Sequence, residues 1–269
     1  MSVGQKSLEG SVSQVLRRLS VLLLRQRLVP VLSVAGFIVT WGLVAHLGAW
    51  APYLLPSPQA AGSALLRELT SGRLAENFAD SFHHYALGLA WGVSGGVIVG
   101  MAVAWFRTLE LLVMPVLLLL RPIPVLAWIP FAILWFHITH LAAAFIISIA
   151  SFYITFFATY GGIRNIDRRL LDVAQTLGTN SDLGLIRRVV LPAALPSILT
   201  GIHTSLGQAW LAVVAAELFG VRGLGLRMTE AAGLLAMDVV VAYMAVLGLI
   251  YLVTDFGFRL VEARLLRWR

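Results

Sequence analysis

Arg121 is the residue whose type and setting most need a chemical explanation. It interrupts a long apolar run, residues 109–136, and is followed at once by Pro122 and Pro124. An arginine at the centre of a membrane helix costs about 2.5–3.5 kcal/mol on insertion scales. The two prolines break the helix and free backbone groups, which at membrane depth must line a cavity or be buried in protein. Two readings stand. Either Arg121 and the break over residues 121–130, with Pro122, Pro124 and Trp128, line a path that favours an anion. Or Arg121 sits near the cytoplasmic mouth and pairs with backbone or an acid.

Other chemistry is sparse. Thr204, Ser205, Gln208 and Trp210 give the apolar stretch 198–218 a polar stripe, suited either to lining a path or to hydrogen bonds between helices. The only lysine is Lys6, without the glycine pattern of a phosphate-binding loop, so this chain carries no such ATP site. There is no H-E-x-x-H helix, no G-x-S-x-G elbow and no paired-carboxylate cluster. No catalytic residue is expected. The six histidines read as scattered. His137 and His140, three apart, read as polar residues at a span end that share a helical face, and no metal site is expected. The absence of cysteine excludes disulfides and thiol catalysis. Glu217 and Asp255 lie near span ends, and Asp255 precedes Arg259 by four residues, the spacing of an i,i+4 pair. Acids of the kind that couple an ion gradient are therefore poorly represented within the spans, and the energy source lies outside the chain.

The elements that must position these residues are membrane helices. Of 269 residues, 59% are hydrophobic and 12% charged, against about 25% charged in soluble domains. A helix needs about 20 apolar residues to cross the hydrocarbon layer. Six stretches qualify: 29–47, 85–106, 109–136, 141–160, 198–218 and 239–258. A surface helix is expected from 59 to 69, behind Leu55-Pro56-Ser57-Pro58. The expected division is a basic tail over 1–28, a single transmembrane domain over 29–260 with a polar loop at 161–197, and a second basic tail over 261–269. Residues 12–27 place Leu16, Leu19 and Leu23 on one helical face, consistent either with an interfacial helix or with a disordered tail.

Positive charge orients the chain. With the N-terminus in the cytoplasm, fifteen basic residues fall inside and four, Arg67, Arg73, Arg222 and Arg227, fall outside. Both termini are then cytoplasmic. The net charge of +7 follows this topology and does not indicate a nucleic-acid partner. Gly88, Gly92, Gly96 and Gly100 recur every four residues and make one small face for close helix packing. Trp41, Trp105, Trp128 and Trp135 lie at or near interfaces, as anchors do.

The loop at 161–197 holds a short helix with an apolar face of Leu170, Val173, Ala174 and Leu177, ended by Gly178. A second short helix follows, and Pro192 stands near the start of the fifth span. An apolar-faced cytoplasmic helix with no other membrane task suits a groove in a partner protein. This stretch resembles the EAA loop of ABC-importer permeases. Asp172-Val173-Ala174 stands for E-A-A, Gly178 for the glycine, and Val189, Leu191 and Pro192 for the closing I-x-L-P. The acid is Asp, the first Ala is Val, and the interval from Gly178 to Val189 is one residue longer than the pattern. Leu55-Pro56-Ser57-Pro58, the block from Arg121 to Pro130, Ile133-Leu134-Trp135-Phe136 and Ala215-Ala216-Glu217-Leu218 are similar to the nitrate, sulfonate, taurine and bicarbonate branch of these permeases.

The resemblance implies an all-α membrane protein of about six transmembrane helices with type I importer architecture, in the cell inner membrane. It implies two permease copies forming a pore, two cytoplasmic ATPase subunits that bind ATP and Mg, and an extracytoplasmic binding protein that delivers the substrate. The ATPase contact falls on Asp172, Val173, Ala174, Leu177, Gly178, Thr179 and Asn180. The substrate class it implies is a small anion such as an organic sulfonate, taurine or nitrate. A self-contained channel or secondary carrier is the alternative reading.

Overall fold

A computed structural model describes residues 28–48, 51, 53–179 and 181–267. The tail helix weighed for 12–27, and Asn180, lie outside the described residues. The chain divides into two compact units, Met1–Ser63 and Ala64–Arg269. In the first, α1 (Leu28–His46) is long and apolar enough to span a membrane. Trp41 Nε1 donates to the Pro56 carbonyl at 3.0 Å in the segment that follows. Helix α2 (Pro58–Thr70) starts there. Ser57 Oγ accepts the Ala60 N–H at 3.2 Å as its cap, and Pro58, which has no N–H to satisfy, opens the first turn.

In the second unit, α3 (Arg73–Trp105), α6 (His140–Arg164) and α9 (Leu191–Glu217) pack along their lengths. The four-residue glycine repeat makes this possible. A Cβ on Gly88 or Gly92 would lie 2.5 Å from the carbonyl oxygens of Ala144 and Ser148 on α6. On Gly96 or Gly100 it would lie 2.9 Å from those of Phe152 and Phe156. Only glycine lets the two backbones approach this closely. Ile146, Ile147, Phe156 and Val213 fill the space between these helices and are fully buried.

The remaining elements frame this core: α4 (Arg107–Leu120), a 3₁₀ turn (Val125–Trp128), α5 (Ile129–Phe136), α7 (Arg168–Thr176), α8 (Asp182–Leu185), a π turn (Ile186–Val190), α10 (Leu224–Gly233) and α11 (Met237–Leu265). Among the described residues, five helices are long and apolar enough to cross a membrane. They number six when α4 and the 125–136 segment count as one span, bent by 97°. The bend falls at Pro122 and Pro124, which cannot donate to a helical ladder.

Helix boundaries differ from the hydropathy reading where polarity and helicity part company. Helix α3 begins at Arg73 rather than near residue 85, because Arg73, Glu76, Asn77 and Asp80 end the apolar pattern without ending the helix. The second short helix of the loop is α8, but it is not set apart from the fifth span. Residues Asp182–Glu217 run as one stretch. The Leu191 N–H reaches back five residues to the Ile186 carbonyl, which makes the join a π turn. Such a turn absorbs one extra residue into a helix, and it lies where the sequence holds one residue more than the pattern it resembles. Helix α11 continues to Leu265, and α10 was not foreseen.

Candidate functional site

Helix α7 is built to project. The Asp167 side chain accepts the Arg169 N–H at 3.0 Å and caps its start. Gly178, at φ 91, ends it, and the Thr179 N–H returns to the Ala174 carbonyl at 3.0 Å. Of the expected apolar face, Ala174 is packed inward at 8% exposure, while Leu177 is 80% exposed and Leu170 and Val173 are each more than half exposed. Leu183 on α8 adds another exposed apolar group. Asp172 and Gly178 are exposed beside them and Thr179 is half-buried. The base of the loop is anchored, since Leu171 and Ile166 pack against Ile163, Val190 and Ala194.

At the same end, Glu110 ties α4 to α6. Tyr160 donates to Glu110 Oε1 at 2.5 Å, Arg107 Nη1 lies 2.6 Å from Oε2, and Arg164 Nη2 lies 3.4 Å from Oε1. Sequence reading missed this cluster. Its members are up to 57 positions apart (107 to 164) and look individually like ordinary interfacial polar groups.

A cavity of about 650 Å³ opens between α9 and α11. Thr204 and Gln208 line it with His203, Asp255 and Arg259. Asp255 makes the expected i,i+4 pair with Arg259, whose Nε lies 2.8 Å from Oδ2. It also takes a partner that was not expected: His203 Nε2 lies 2.6 Å from Oδ1. Ser205 does not join the polar stripe. It is fully buried on another side of α9 and donates to the Ile202 carbonyl at 2.7 Å. One residue of helix turns a side chain by about 100°, so Ser205 leaves the line that Thr204 and Gln208 share. Trp210 borders the cavity and stacks on Tyr85 with ring centroids 4.2 Å apart.

Arg121 does not reach that cavity. It caps the end of α4 and lays its guanidinium 4.5 Å over the Phe157 ring of α6. Its partner is thus an aromatic face, and among the described residues no carboxylate forms an ion pair with it. Pro122 and Pro124 are exposed at the bend. Trp128 borders a second cavity of about 300 Å³ with Gly92 and Phe152.

At the opposite end from α7, histidines that read as scattered come together. His84 Nε2 approaches Glu217 Oε1 at 2.7 Å, His84 Nδ1 lies 3.3 Å from His140 Nδ1, and the His83 ring meets His140 edge-on at 5.2 Å. His137 and His140 share no helical face: His137 caps the end of α5 with φ 56, and His140 opens α6. Among the described residues no group of three or more His, Cys, Asp or Glu is arranged to hold a metal ion. Glu68 forms another tie. Arg227 on α10 contacts its two oxygens at 2.8 and 3.3 Å, and the Tyr243 hydroxyl of α11 donates at 2.9 Å. The Arg227 guanidinium holds the Glu68 carboxyl below its usual range, against the opposing effect of burial.

Comparisons with known proteins agree with this layout. Residues 92–267 match the model of the binding-protein-dependent transport system inner membrane component family. The chain is similar to a provisionally named ABC transporter permease protein of Methanocaldococcus jannaschii, 36% identical over 86% of this chain and 88% of that protein. It is 34% identical to SsuC of Bacillus subtilis, whose provisional name assigns it to aliphatic sulfonates transport, over 87% of this chain and 85% of SsuC. It is 33% identical to the taurine transport system permease protein TauC of Escherichia coli, over 91% and 90% of the two chains. In fold it is similar to a chain of the inward-facing MetNI methionine ABC transporter, with a TM-score of 0.67 and 17% identity over 74% of this chain and 98% of that one. By the family match over residues 92–267 and by relatives at 33–36% identity over most of its length, the chain belongs to the binding-protein-dependent transport system inner membrane components, the permease subunits of ABC importers.

Proposed function

We propose that two copies of this chain form the pore of an importer for a small organic sulfonate or similar anion. Two cytoplasmic ATPase subunits, which bind ATP and Mg, drive it, and an extracytoplasmic binding protein delivers the substrate. The observation that carries this reading is the α7 projection. Leu170, Val173 and Leu177 stand exposed on a helix capped at both ends, and they are apolar groups in search of a groove. The substrate class rests on the sulfonate and taurine assignments of SsuC and TauC, at 34% and 33% identity.

The ATPase contact comprises Asp172, Val173, Ala174, Leu177, Gly178, Thr179 and Asn180. The continuity of Asp182–Glu217 supplies a lever from that contact into the membrane. Its 36 residues extend about 54 Å at 1.5 Å per residue. A push on α7 and α8 is thereby transmitted to α9, and the Glu110 tie carries it to α4 through α6. Transport follows if the two states of the helices differ in affinity for the solute. Arg121 belongs to this movement as the residue that steadies the bend between α4 and α5 against Phe157, beside the path.

The test is reconstitution of the permease with its ATPase in liposomes, with the binding protein outside and ethanesulfonate or taurine as solute. ATP-dependent uptake that requires all three proteins is expected. Uptake by the permease alone would replace this reading with that of a self-contained carrier.

A further inference from the structure

We propose that the cavity between α9 and α11 is a station for an oxoanion of the sulfonate class, held by the guanidinium of Arg259 and the amide of Gln208. This rests on the reading of the chain as a sulfonate permease and adds where within it the anion is held.

The cavity contradicts a lipid-facing wall. Gln208 is exposed, and its amide makes no hydrogen bond among the described residues. Arg259 engages Asp255 through Nε and leaves both Nη groups without a protein partner among the described residues, its side chain 66% exposed. Gln208 lies within the fifth span, and in hydrocarbon an unsatisfied polar group costs several kcal/mol. The cavity must therefore hold water or a polar solute. At about 650 Å³ it falls within the range of small-molecule sites, about 300–1,000 Å³.

The donors decide the sign of the solute. Both Asp255 oxygens are already taken, one by His203 at 2.6 Å and one by Arg259 at 2.8 Å. Engaged by two protein donors, the carboxylate is a weakened acceptor for an ammonium group. Besides the His203–Asp255 pair, the polar residues that line the cavity are Arg259, Gln208, Thr204 and Tyr251, a set of donors led by a guanidinium. A guanidinium edge matches two oxygens of a sulfonate in bidentate fashion. Asp255 offsets most of the arginine charge, so the anion is held weakly. A path needs such a site, because a solute that binds too well does not leave.

The chain has no cysteine, so Leu211→Cys, on the cavity lining but not one of the two holding groups, introduces a single thiol. The complex with its ATPase, without nucleotide, is treated with an anionic methanethiosulfonate in the presence and absence of ethanesulfonate. We expect labelling that ethanesulfonate slows several-fold and choline does not. Adding Arg259→Gln should remove the protection. No labelling, or labelling at a rate indifferent to ethanesulfonate, overturns the station. Protection that persists in the Arg259→Gln background overturns the role of Arg259. The two readings fail separately. A wild-type complex that takes up no ethanesulfonate with ATP, while the Leu211→Cys complex is protected, sinks the proposed function and supports the station. ATP-driven uptake with an unprotected thiol does the reverse.

Discussion

His84 Nε2 lies 2.7 Å from Glu217 Oε1, and neither side chain has exposed surface. The same oxygen accepts the Ser81 hydroxyl at 2.5 Å, and Oε2 accepts the Gly225 N–H at 2.5 Å. One carboxylate thus fixes α3, α9 and the start of α10 to each other. Removing one partner from a buried hydrogen-bonded cluster leaves the others unsatisfied, at about 1–3 kcal/mol. Glu217→Leu should therefore destabilise the purified protein by at least that much, and His84→Leu likewise. Unfolding in a detergent titration measures it. A loss below the effect of a surface substitution, about 0.5 kcal/mol, would refute the role of the cluster.

The glycine face of α3 predicts opposite signs for the same substitution at two places. Gly92→Ala must push a methyl group to 2.5 Å from the Ser148 carbonyl, whereas Gly62→Ala on α2 meets nothing within 4 Å. Overpacking costs about 1–3 kcal/mol. Replacing a helical glycine with alanine in open space gains up to about 1 kcal/mol. Thermal unfolding should fall for Gly92→Ala and stay level or rise for Gly62→Ala. Equal behaviour of the two would contradict the close approach of α3 and α6.

Glu68 gives a pH dependence with a definite sign. Arg227 lowers its carboxyl below the ordinary 4.5. A depressed carboxylate contributes stability that is fully present above that ordinary value and is lost as pH falls through the lower, folded value. The melting temperature should therefore drop as the pH is taken below 4.5. Glu68→Gln should be less stable at neutral pH and should lose less over the same acid range. A variant that tracks the wild type across that range would show that Glu68 is not the group responsible.

The Glu110 tie can be dissected by its donors. Tyr160→Phe removes one hydrogen bond to a charged group, about 1.5–3 kcal/mol, and leaves Arg107 and Arg164 in place. Glu110→Leu removes the acceptor of all three. In a double-mutant cycle the Tyr160→Phe loss should vanish once Glu110 is leucine. Additive losses would mean that the hydroxyl and the carboxylate act independently.

The sequence displayed what depends on local pattern. Six apolar stretches, the proline break after Arg121, the four-residue glycine face and the loop ended by Gly178 follow from period, hydropathy and turn chemistry read along the chain. What it hid depends on meetings between distant positions. Glu217 and His84 are 133 positions apart, and Glu68 and Tyr243 are 175 apart. Nothing local distinguishes such residues from interfacial polar groups. Thr204 and Ser205 show the limit on a smaller scale. A polar stripe read from composition ignored the 100° turn between neighbours that puts one on the cavity and the other in the core. The join at residues 186–190 was half legible. One surplus residue was countable, while its absorption as a π turn required the backbone.

The proposed transport cycle requires an ATPase seated against α7. Because the chain lacks cysteine, Leu177→Cys provides one thiol at an 80% exposed position to carry a photoreactive group, and Leu234→Cys, 77% exposed on the opposite end, provides the control. After illumination of the permease purified together with its ATPase, a covalent permease–ATPase adduct should form from Leu177→Cys and not from Leu234→Cys. No adduct from Leu177→Cys, or equal yields from both, would contradict the claim that this loop receives the motor.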